Sequence, residues 1–372
     1  MARAYDIAAY YFPNYHHEPR NDRDHPNGWT EWEQVKAARP RFPGHQQPKV
    51  PLWGYEDESD PAAMARKIDA AADHGITTFL FDWYWDGEGP YLQRALERGF
   101  LQAPNNARLT FALMWANHWE IGREAFDAAT GYIVERYLSH PSYWTVKGCP
   151  YLSIYELMTL VKGLGGIEAT ADALNAFRAR VRQATGRDLH LNAVLWGVRE
   201  QPGALPLDQQ RDLLARCGFD SLTSYVWIHH TRLPHFPATS YAPYAAEAPA
   251  TWDRFEREYS LPYHPNVTVG WDPSPRTETS APFEEGPYPA TAVLVDNTPE
   301  AFWHALEQAK AFLDRSRLDP PVLTLYAWNE WAEGGYLEPD TTHGNAYLEA
   351  IKRVFPPMPP LQVQPDTVGQ EG

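Results

Sequence analysis

Two carboxylates near the C-terminus lie among aromatic rings. Glu330 and Glu333 are three residues apart, and Trp328, Asn329 and Trp331 stand beside them at the end of an apolar run. Cleavage of a glycosidic bond needs one carboxyl group to protonate the leaving oxygen and a second to act as base or nucleophile. Residues at this spacing in a helical turn project to one side. An exposed acidic turn is the other interpretation, and the predicted fold decides between the two.

The elements that must position this pair are short apolar runs that recur along the chain. Polar and aromatic residues follow each run, and the runs lack the alternation of a strand with one face in water. Strands buried on both faces have this continuous apolar pattern. The runs are residues 6–12, 77–83, 109–115, 151–155, 190–195, 221–225, 266–271 and 322–327.

Helical patterns separate these runs. Asp60 precedes a proline and predicts the N-cap of a helix that stops at Gly75. A second helix is predicted to end at Gly186, and Thr298, again before a proline, opens a third. Strand–helix alternation repeated eight times predicts an α/β fold, a single (β/α)8 TIM barrel over residues 1–355. The proline-rich segment 356–372 is predicted to be a flexible tail.

A doubly wound open sheet is the alternative fold. It needs fewer strands and usually a glycine-rich phosphate turn, and the chain has neither G-x-G-x-x-G nor a P-loop. Residues 163–166 (GLGG) are interpreted as an ordinary loop. Two long connections, 13–59 and 272–297, follow the C-terminal ends of predicted strands, which form the barrel face that carries active sites.

In a barrel the C-terminal ends of the strands converge on one mouth. Because rings and polar groups follow nearly all of the predicted strands, the mouth is expected to be a lined pocket, and the acidic pair after the eighth strand is expected to be functional. Glu330 and Glu333 are the candidate catalytic residues. Glu156 after the fourth strand is a third candidate, for which binding of a substrate hydroxyl is an equal alternative. The candidate substrate-binding residues at strand ends are Tyr11, Asp82, Trp115, Asn117, Trp119, Glu156, Trp196, Tyr225, Trp227, His229, Trp271, Asp272, Arg276, Trp328, Asn329 and Trp331.

Composition excludes several classes of partner. The net charge of −16 argues against nucleic acid and anionic membrane, and no apolar stretch reaches the roughly 18–20 residues of a membrane-spanning helix. The N-terminus has no apolar signal region, so the protein is expected to be cytoplasmic or a processed secreted form. Cys149 and Cys217 are too far apart for a zinc motif, and no histidine spacing matches a metal site, so neither metal nor cofactor is expected.

Several motifs, in order along nearly the whole chain, carry a family resemblance. The chain resembles the WbsX-type domain of bacterial polysaccharide loci, which is similar to glycoside hydrolase family 99. One matching segment, 28–32, adds Trp29 and Glu31 to the candidate binding residues. The segments are 9–13 (AYYFP), 28–32 (GWTEW), 44–48 (GHQQP), 115–117 (WAN), 270–276 (GWDPSPR), 328–334 (WNEWAEG) and 337–340 (LEPD).

The resemblance implies a TIM barrel that retains anomeric configuration without a cofactor. Glu330 would deprotonate the sugar's own 2-hydroxyl, which attacks the anomeric carbon to form a 1,2-anhydro sugar. Glu333 would protonate the leaving group and then activate water. This route suits polysaccharides or oligosaccharides of α-mannoside-like or α-rhamnoside-like sugars. Two other hypotheses stay open: a glycosyltransferase of polysaccharide biosynthesis, although the sequence shows no nucleotide-sugar site, and a carbohydrate-binding barrel without catalysis.

Overall fold

The computed structural model describes residues 5–201 and 203–357, and its strands lie where the apolar runs predict them. Every predicted run coincides with at least one strand of the main sheet. The strands are β1 (Asp6–Tyr11), β2 (Thr78–Asp86), β3 (Gly89–Tyr91), β4 (Thr110–Trp115), β5 (Thr145–Val146), β6 (Cys149–Ile154), β7 (His190–Val194), β8 (Ser221–Thr223), β9 (Ala238–Ser240), β10 (Tyr263–His264), β11 (Asn266–Thr268), β12 (Val293–Val295), β13 (Val322–Tyr326), β14 (Asn329–Glu330) and β15 (Gly335–Tyr336).

Nine of these strands form the barrel. They lie side by side in the order β10, β8, β7, β6, β4, β2, β1, β13, β11, and every pair between neighbours is parallel. Only Pro265, which has no N–H to donate, separates β10 from β11. β10 pairs with β8 at one edge of the sheet, and β11 pairs with β13 at the other edge. The segment 263–268, which contains both strands, therefore joins the two edges of the sheet. The predicted (β/α)8 barrel is therefore confirmed, with a seventh strand that is split in two.

Three predicted helices are confirmed with their end signals. The side chain of Asp60 accepts a hydrogen bond from the N–H of Ala62, and that of Thr298 accepts one from Ala301. Gly186 is left-handed at the end of the longest helix. The helices are α1 (Trp32–Ala37), α2 (Pro61–Asp73), α3 (Arg123–Arg136), α4 (Leu157–Leu164), α5 (Ile167–Thr185), α6 (Trp196–Arg199), α7 (Leu207–Arg216), α8 (Tyr241–Ala245), α9 (Ala248–Glu258), α10 (Pro299–Arg315) and α11 (Ala346–Val354).

Two local predictions are wrong. Gly163 does not lie in a loop but in the last turn of α4, where a Cβ atom would lie 2.6 Å from the carbonyl oxygen of Ile121. The glycine therefore serves close packing of this helix against backbone rather than a turn. The second strand also continues past Trp83 to Asp86, where it pairs with β3 in an antiparallel hairpin. The hairpin extends beyond the C-terminal end of the barrel.

The barrel interior contains a layer of polar side chains. The hydroxyls of Thr223 and Thr324 lie 3.1 Å apart, and the amide of Asn266 donates to Thr324 at 3.2 Å. On β6 and β7, the Ser153 hydroxyl donates to the amide oxygen of Asn192 at 2.9 Å. All five residues are fully buried. Because buried polar groups are stable only when they are paired, these bonds favour a single strand register.

The two long connections cover the C-terminal face of the barrel. The first contains α1, and the second contains β12, which pairs with β9 and so anchors the connection to the segment after the sixth strand. Within residues 5–201 and 203–357, no helix has the length and apolar composition needed to span a membrane. Of the predicted tail, residues 358–372 lie outside the described residues.

Candidate active site

Glu330 and Glu333 lie on a tight hairpin that follows β13. β14 and β15 pair in antiparallel fashion, and the 3-10 turn Trp331–Glu333 connects them. Gly334 comes next with a φ of +67°, and a Cβ atom there would lie 2.9 Å from the backbone nitrogen of Asp272. That nitrogen donates to the carbonyl oxygen of Glu333 at 2.5 Å. Glycine is therefore required for the contact that fixes the hairpin against the loop after β11.

Arg276 connects the two glutamates. Its Nη1 donates to Oε1 of Glu333 at 2.5 Å, and its Nη2 lies 3.5 Å from Oε2 of Glu330. Its Nε donates to Oε1 of Glu31 at 3.0 Å. All three carboxyl groups are buried. Because one guanidinium cannot neutralise three buried anions, the centre favours a proton on at least one carboxyl group.

The environments of Glu330 and Arg276 raise the pKa values of both groups. Burial raises the pKa of Glu330 well above its ordinary value, the charge of Glu333 raises it further, and Arg276 opposes both effects. Burial alone would lower the pKa of Arg276, but the carboxylates of Glu333 and Glu31 outweigh it and keep the guanidinium charged. Carboxyl groups held in unequal environments are what acid–base cleavage of a glycoside requires.

Two tyrosines orient Glu333, and neither was among the predicted site residues. The Tyr288 hydroxyl donates to Oε1 at 2.6 Å, and the Tyr326 hydroxyl donates to Oε2. Tyr326 is the last residue of β13, so its place at a strand end was a signal that sequence reasoning could have used. Tyr288 lies in the connection 272–297, which has no periodic pattern to indicate which side chains point inward.

The hydroxyl of Tyr225 joins Glu330 to a further carboxyl group, that of Asp82. It lies 2.8 Å from Oε1 of Glu330 and 2.9 Å from Oδ2 of Asp82, at the C-terminal side of β2. Asp82 is buried, and its Oδ1 has no hydrogen-bond partner in the described part of the chain. The site therefore contains acidic residues in addition to Glu330 and Glu333.

Glu156 forms a separate network on the cleft wall. Nδ1 of His118 lies 2.7 Å from its Oε1, and Thr159 and Gln201 each donate to its Oε2 at 2.6 Å. Burial raises the pKa of Glu156, but the hydrogen bonds from His118 and Thr159 outweigh burial and lower it. An ionised carboxylate held in this way suits the acceptance of hydrogen bonds from sugar hydroxyls rather than proton donation.

These groups line a cleft of about 530 Å³ to which all eight strand ends contribute. Trp196 stacks on Tyr155 at 5.1 Å between ring centroids, which gives the cleft an aromatic wall. Burial lowers the pKa of His229 well below its ordinary value, so this side chain is a neutral imidazole. The predicted site residues that line the cleft are Asp82, Glu156, Trp196, Tyr225, His229, Trp271, Arg276, Glu330 and Glu333.

The structure places four of the predicted binding indoles in the core instead of the cleft. Trp115 stacks on Phe126, and Trp331 donates its indole N–H to Glu338 at 2.7 Å. Trp227 and Trp328 are also buried away from the cleft. Large rings fill cores as readily as they line sites, so a tryptophan after a strand does not by itself indicate which way it points.

Three polar residues at strand ends form hydrogen bonds with other loops instead of facing the cleft. Asn117 exchanges hydrogen bonds with the backbone of Glu156, and Asn329 does the same with the backbone of Phe12. Asp272 accepts hydrogen bonds from two side chains of the connection 13–59. These three predicted binding residues therefore connect loops to one another and do not face the cleft.

The remaining predicted binding residues have other surroundings. Tyr11 is buried, with its ring centroid 4.5 Å from that of Phe81. Glu31 contacts Arg276 of the site. Trp29 stacks on a histidine of its own loop. Trp119 is 43% exposed and lies on the rim of the mouth. A smaller polar cavity of about 120 Å³ behind the hairpin is lined by neither Glu330 nor Glu333.

A buried cluster of three charged side chains, Lys67, Glu58 and Glu338, is hydrogen-bonded to the hairpin that carries Glu330. Lys67 on α2 lies 2.7 Å from both Glu58 and Glu338. Glu58 accepts a hydrogen bond from Asn329 at 2.8 Å, and Glu338 accepts the one from Trp331. The cluster therefore holds the residues on either side of Glu330, although no substrate can reach it.

Lys67→Met is expected to lower the free energy of unfolding by about 3 to 5 kcal/mol, because it leaves two buried carboxylates without their cation. Urea denaturation followed by circular dichroism measures the change. Lys36→Met is the matched control, since Lys36 pairs with Glu33 on the surface and its loss should cost about 0.5 kcal/mol or less. A similar small loss in both variants would contradict a supporting role for the cluster.

Residues 7–351 match the model of a family described as glycosyltransferase WbsX. The chain belongs to the WbsX family. This membership confirms the resemblance drawn from the sequence motifs. Two relatives from strains of Xanthomonas campestris pv. campestris, each described as uncharacterized protein WxcX, are 26% and 27% identical to this chain. The alignments cover 96% of this chain and 50% of each relative, so the chain spans about half the length of the curated relatives it matches.

Solved structures share the fold of this WbsX domain. The GH99 endo-α-mannosidase from Bacteroides thetaiotaomicron, in complex with bis-tris-propane, matches with a TM-score of 0.62 and 14% identity over 95% of this chain and 97% of that chain. A glycoside hydrolase-like protein matches with a TM-score of 0.62 and 14% identity over 95% and 94% of the two chains. At this identity the likeness shows the barrel fold alone.

Proposed function

We propose that this WbsX domain is a retaining glycoside hydrolase that acts on an α-linked polysaccharide or oligosaccharide. The buried pair of Glu330 and Glu333, joined by Arg276 at the mouth of a ring-lined cleft, carries the proposal. Two carboxyl groups with unequal environments meet the requirement for acid–base cleavage. The shared fold with an endo-α-mannosidase supports the same class of reaction.

In the proposed mechanism the substrate supplies its own nucleophile. Glu330 removes the proton of the 2-hydroxyl, whose oxygen attacks the anomeric carbon, while Glu333 gives its proton to the departing glycosidic oxygen. Glu333, now a carboxylate, takes a proton from water, whose oxygen attacks the anomeric carbon. The bond between that carbon and O2 breaks, and Glu330 returns its proton to O2, which restores the 2-hydroxyl, the anomeric configuration and both glutamates. The 2-hydroxyl must lie trans to the leaving group, so α-mannoside-like or α-rhamnoside-like sugars fit this route.

The surroundings of the cleft support a polymeric substrate. Trp119 stands on one rim, 6.5 Å from the ring of Tyr91 in the β2–β3 hairpin, after the second and third barrel strands. A depression of about 430 Å³ adjoins the cleft at Trp271, between the segments after the sixth and seventh strands. These two positions lie opposite each other in a ring of eight. A chain that crosses the mouth would therefore contact both.

Trp119→Ala is expected to raise KM for a polysaccharide substrate by about fivefold, the effect of losing one ring contact of about 1 kcal/mol. The KM of a short aryl glycoside that fills only the cleft should rise less. Trp303→Ala is the matched control, because Trp303 lies on α10, away from the mouth. Equal effects of the Trp119 and Trp303 substitutions on the polysaccharide would contradict a rim contact.

The hydrolase proposal is tested with a panel of α-mannans, α-rhamnans and bacterial O-antigen polysaccharides. New reducing ends should form on at least one of them, and nuclear magnetic resonance spectra taken early in the reaction should show the retained anomer first. Formation of the inverted anomer would rule out the 1,2-anhydro route. Absence of any cleavage across the panel would count against hydrolysis.

A glycosyltransferase is the second candidate, because the description of the matching family names that activity. It predicts that a nucleotide sugar stabilises the protein and donates its sugar to an acceptor. A thermal-shift screen of nucleotide sugars measures such stabilisation directly. A shift with a nucleotide sugar, together with no cleavage of the polysaccharide panel, would favour transfer over hydrolysis.

A further inference from the structure

The hydroxyl of Tyr225 lies between two carboxyl groups at hydrogen-bond distance from each. Its oxygen is 2.9 Å from Oδ2 of Asp82 and 2.8 Å from Oε1 of Glu330, both within the ordinary range for O–H···O bonds. A tyrosine hydroxyl has one hydrogen, which can point straight at only one of the two oxygens. The other contact is favourable only when the carboxyl group supplies the hydrogen. At least one of the two acids is therefore protonated.

The surroundings of the two acids decide which one holds that proton. Arg276 lies 3.5 Å from Glu330, whereas no cationic side chain forms an ion pair with Asp82 in the part of the chain that the structure describes. Oδ1 of Asp82 is buried without a hydrogen-bond partner. An ionised Asp82 would thus be a buried anion with one bare oxygen, which is costly, while a neutral carboxylic acid is not.

The other titratable groups around Asp82 favour the same proton position. Burial raises the pKa of Asp82 well above its ordinary value, Tyr225 opposes this, and the charge of Glu333 raises it again. Among residues 5–201 and 203–357, the titratable groups that interact with Asp82 include no cation. They are Tyr10 on β1, Tyr84 on β2, Tyr155 after β6, Tyr225 after β8, and Glu330 and Glu333 on the hairpin after β13.

We propose that Asp82 is a positioning residue that acts as a neutral hydrogen-bond donor. Its Oδ2–H donates to the oxygen of Tyr225, which directs the hydrogen of Tyr225 toward Oε1 of Glu330. That bond stabilises Glu330 as the carboxylate that a base must be. If Asp82 were ionised, the hydrogen of Tyr225 would turn away, and Glu330 would lose its donor beside a new negative charge. The catalytic consequence rests on the proposed hydrolase function.

Infrared spectroscopy of the intact protein at neutral pH tests the proton position without any substrate. The difference spectrum between wild type and Asp82→Asn should contain the C=O stretching band of a protonated carboxyl group. Asp86→Asn is the matched control on the same strand, because Asp86 forms an ion pair with Arg20 and its substitution should change carboxylate bands only. A difference spectrum for Asp82→Asn that shows only carboxylate bands would overturn the proposal.

Kinetics then test the positioning role. Asp82→Asn keeps an N–H donor for Tyr225 and cannot ionise, so kcat should fall by less than about tenfold, whereas Asp82→Ala and Tyr225→Phe should each lower kcat by about a hundredfold. Wild-type activity requires protonated Asp82 and should fall as pH rises through its pKa; Asp82→Asn should lack this component of the alkaline limb. Equal losses in the Asn and Ala variants would overturn the role. If the wild type cleaves no glycoside, the hydrolase proposal fails, and the infrared result still decides the proton position.

Discussion

Glu330→Gln is expected to lower kcat for glycoside hydrolysis by about a thousandfold or more while the dissociation constant for an oligosaccharide changes little. Loss of a general base costs about 100- to 10,000-fold. The amide has nearly the shape of the carboxyl group and can still accept the hydrogen bond from Tyr225, so the cleft should keep its form. Turnover assays give kcat, and calorimetric titration of the inactive variant with an oligosaccharide gives the affinity.

Glu307→Gln is the control for this substitution, because Glu307 is an exposed glutamate on α10. It should leave both kcat and affinity at their wild-type values. Full hydrolytic activity of Glu330→Gln would remove Glu330 from the mechanism. A large loss of affinity with unchanged kcat would instead make Glu330 a binding residue, because the lost interaction would then be one made equally in the ground state and the transition state.

The barrel could be predicted because its signals are local and repeated. Each strand is buried on both faces and appears as an uninterrupted apolar run, and caps such as Asp60 and Thr298 mark helix starts through side-chain hydrogen bonds to residues nearby in the chain. The position of Glu330 and Glu333 follows from the fold, since the strand that precedes them ends at the mouth. A local sequence pattern is therefore sufficient to predict the strands, the helix starts and the position of the acidic pair.

The direction of individual side chains could not be predicted in the same way. Trp271 and Trp331 both belong to matching motifs, yet one lines the cleft and the other donates to Glu338 in the core. Contacts between residues distant in the chain decide the difference. Asn329 is a further example, because it lies beside Glu330 but is bound to the backbone of Phe12 at the end of the first strand.

Glu333→Gln is expected to show an effect that depends on the leaving group. Hydrolysis of an unactivated glycoside should fall by about a thousandfold, because its departing oxygen needs a proton, whereas an aryl glycoside with an acidic leaving group should lose much less in the first step. The two substrates are compared by kcat/KM, which reports steps up to the first irreversible one. Glu330→Gln, measured on the same pair of substrates, should lose activity equally on both.

The contrast between the two variants tests the assignment of roles, not merely the importance of the residues. In the unliganded cleft Glu333 accepts hydrogen bonds from Arg276, Tyr288 and Tyr326, which stabilise its carboxylate. That state is the one required to activate water in the second step, and the first step requires the protonated state. Arg276 contacts both glutamates, so movement of its charge from Glu333 toward Glu330 would favour proton uptake by Glu333 and stabilise the carboxylate of Glu330 together. If Glu330→Gln shows the leaving-group dependence instead, Glu330 is the acid and Glu333 is the base. The hydrolase proposal would still hold.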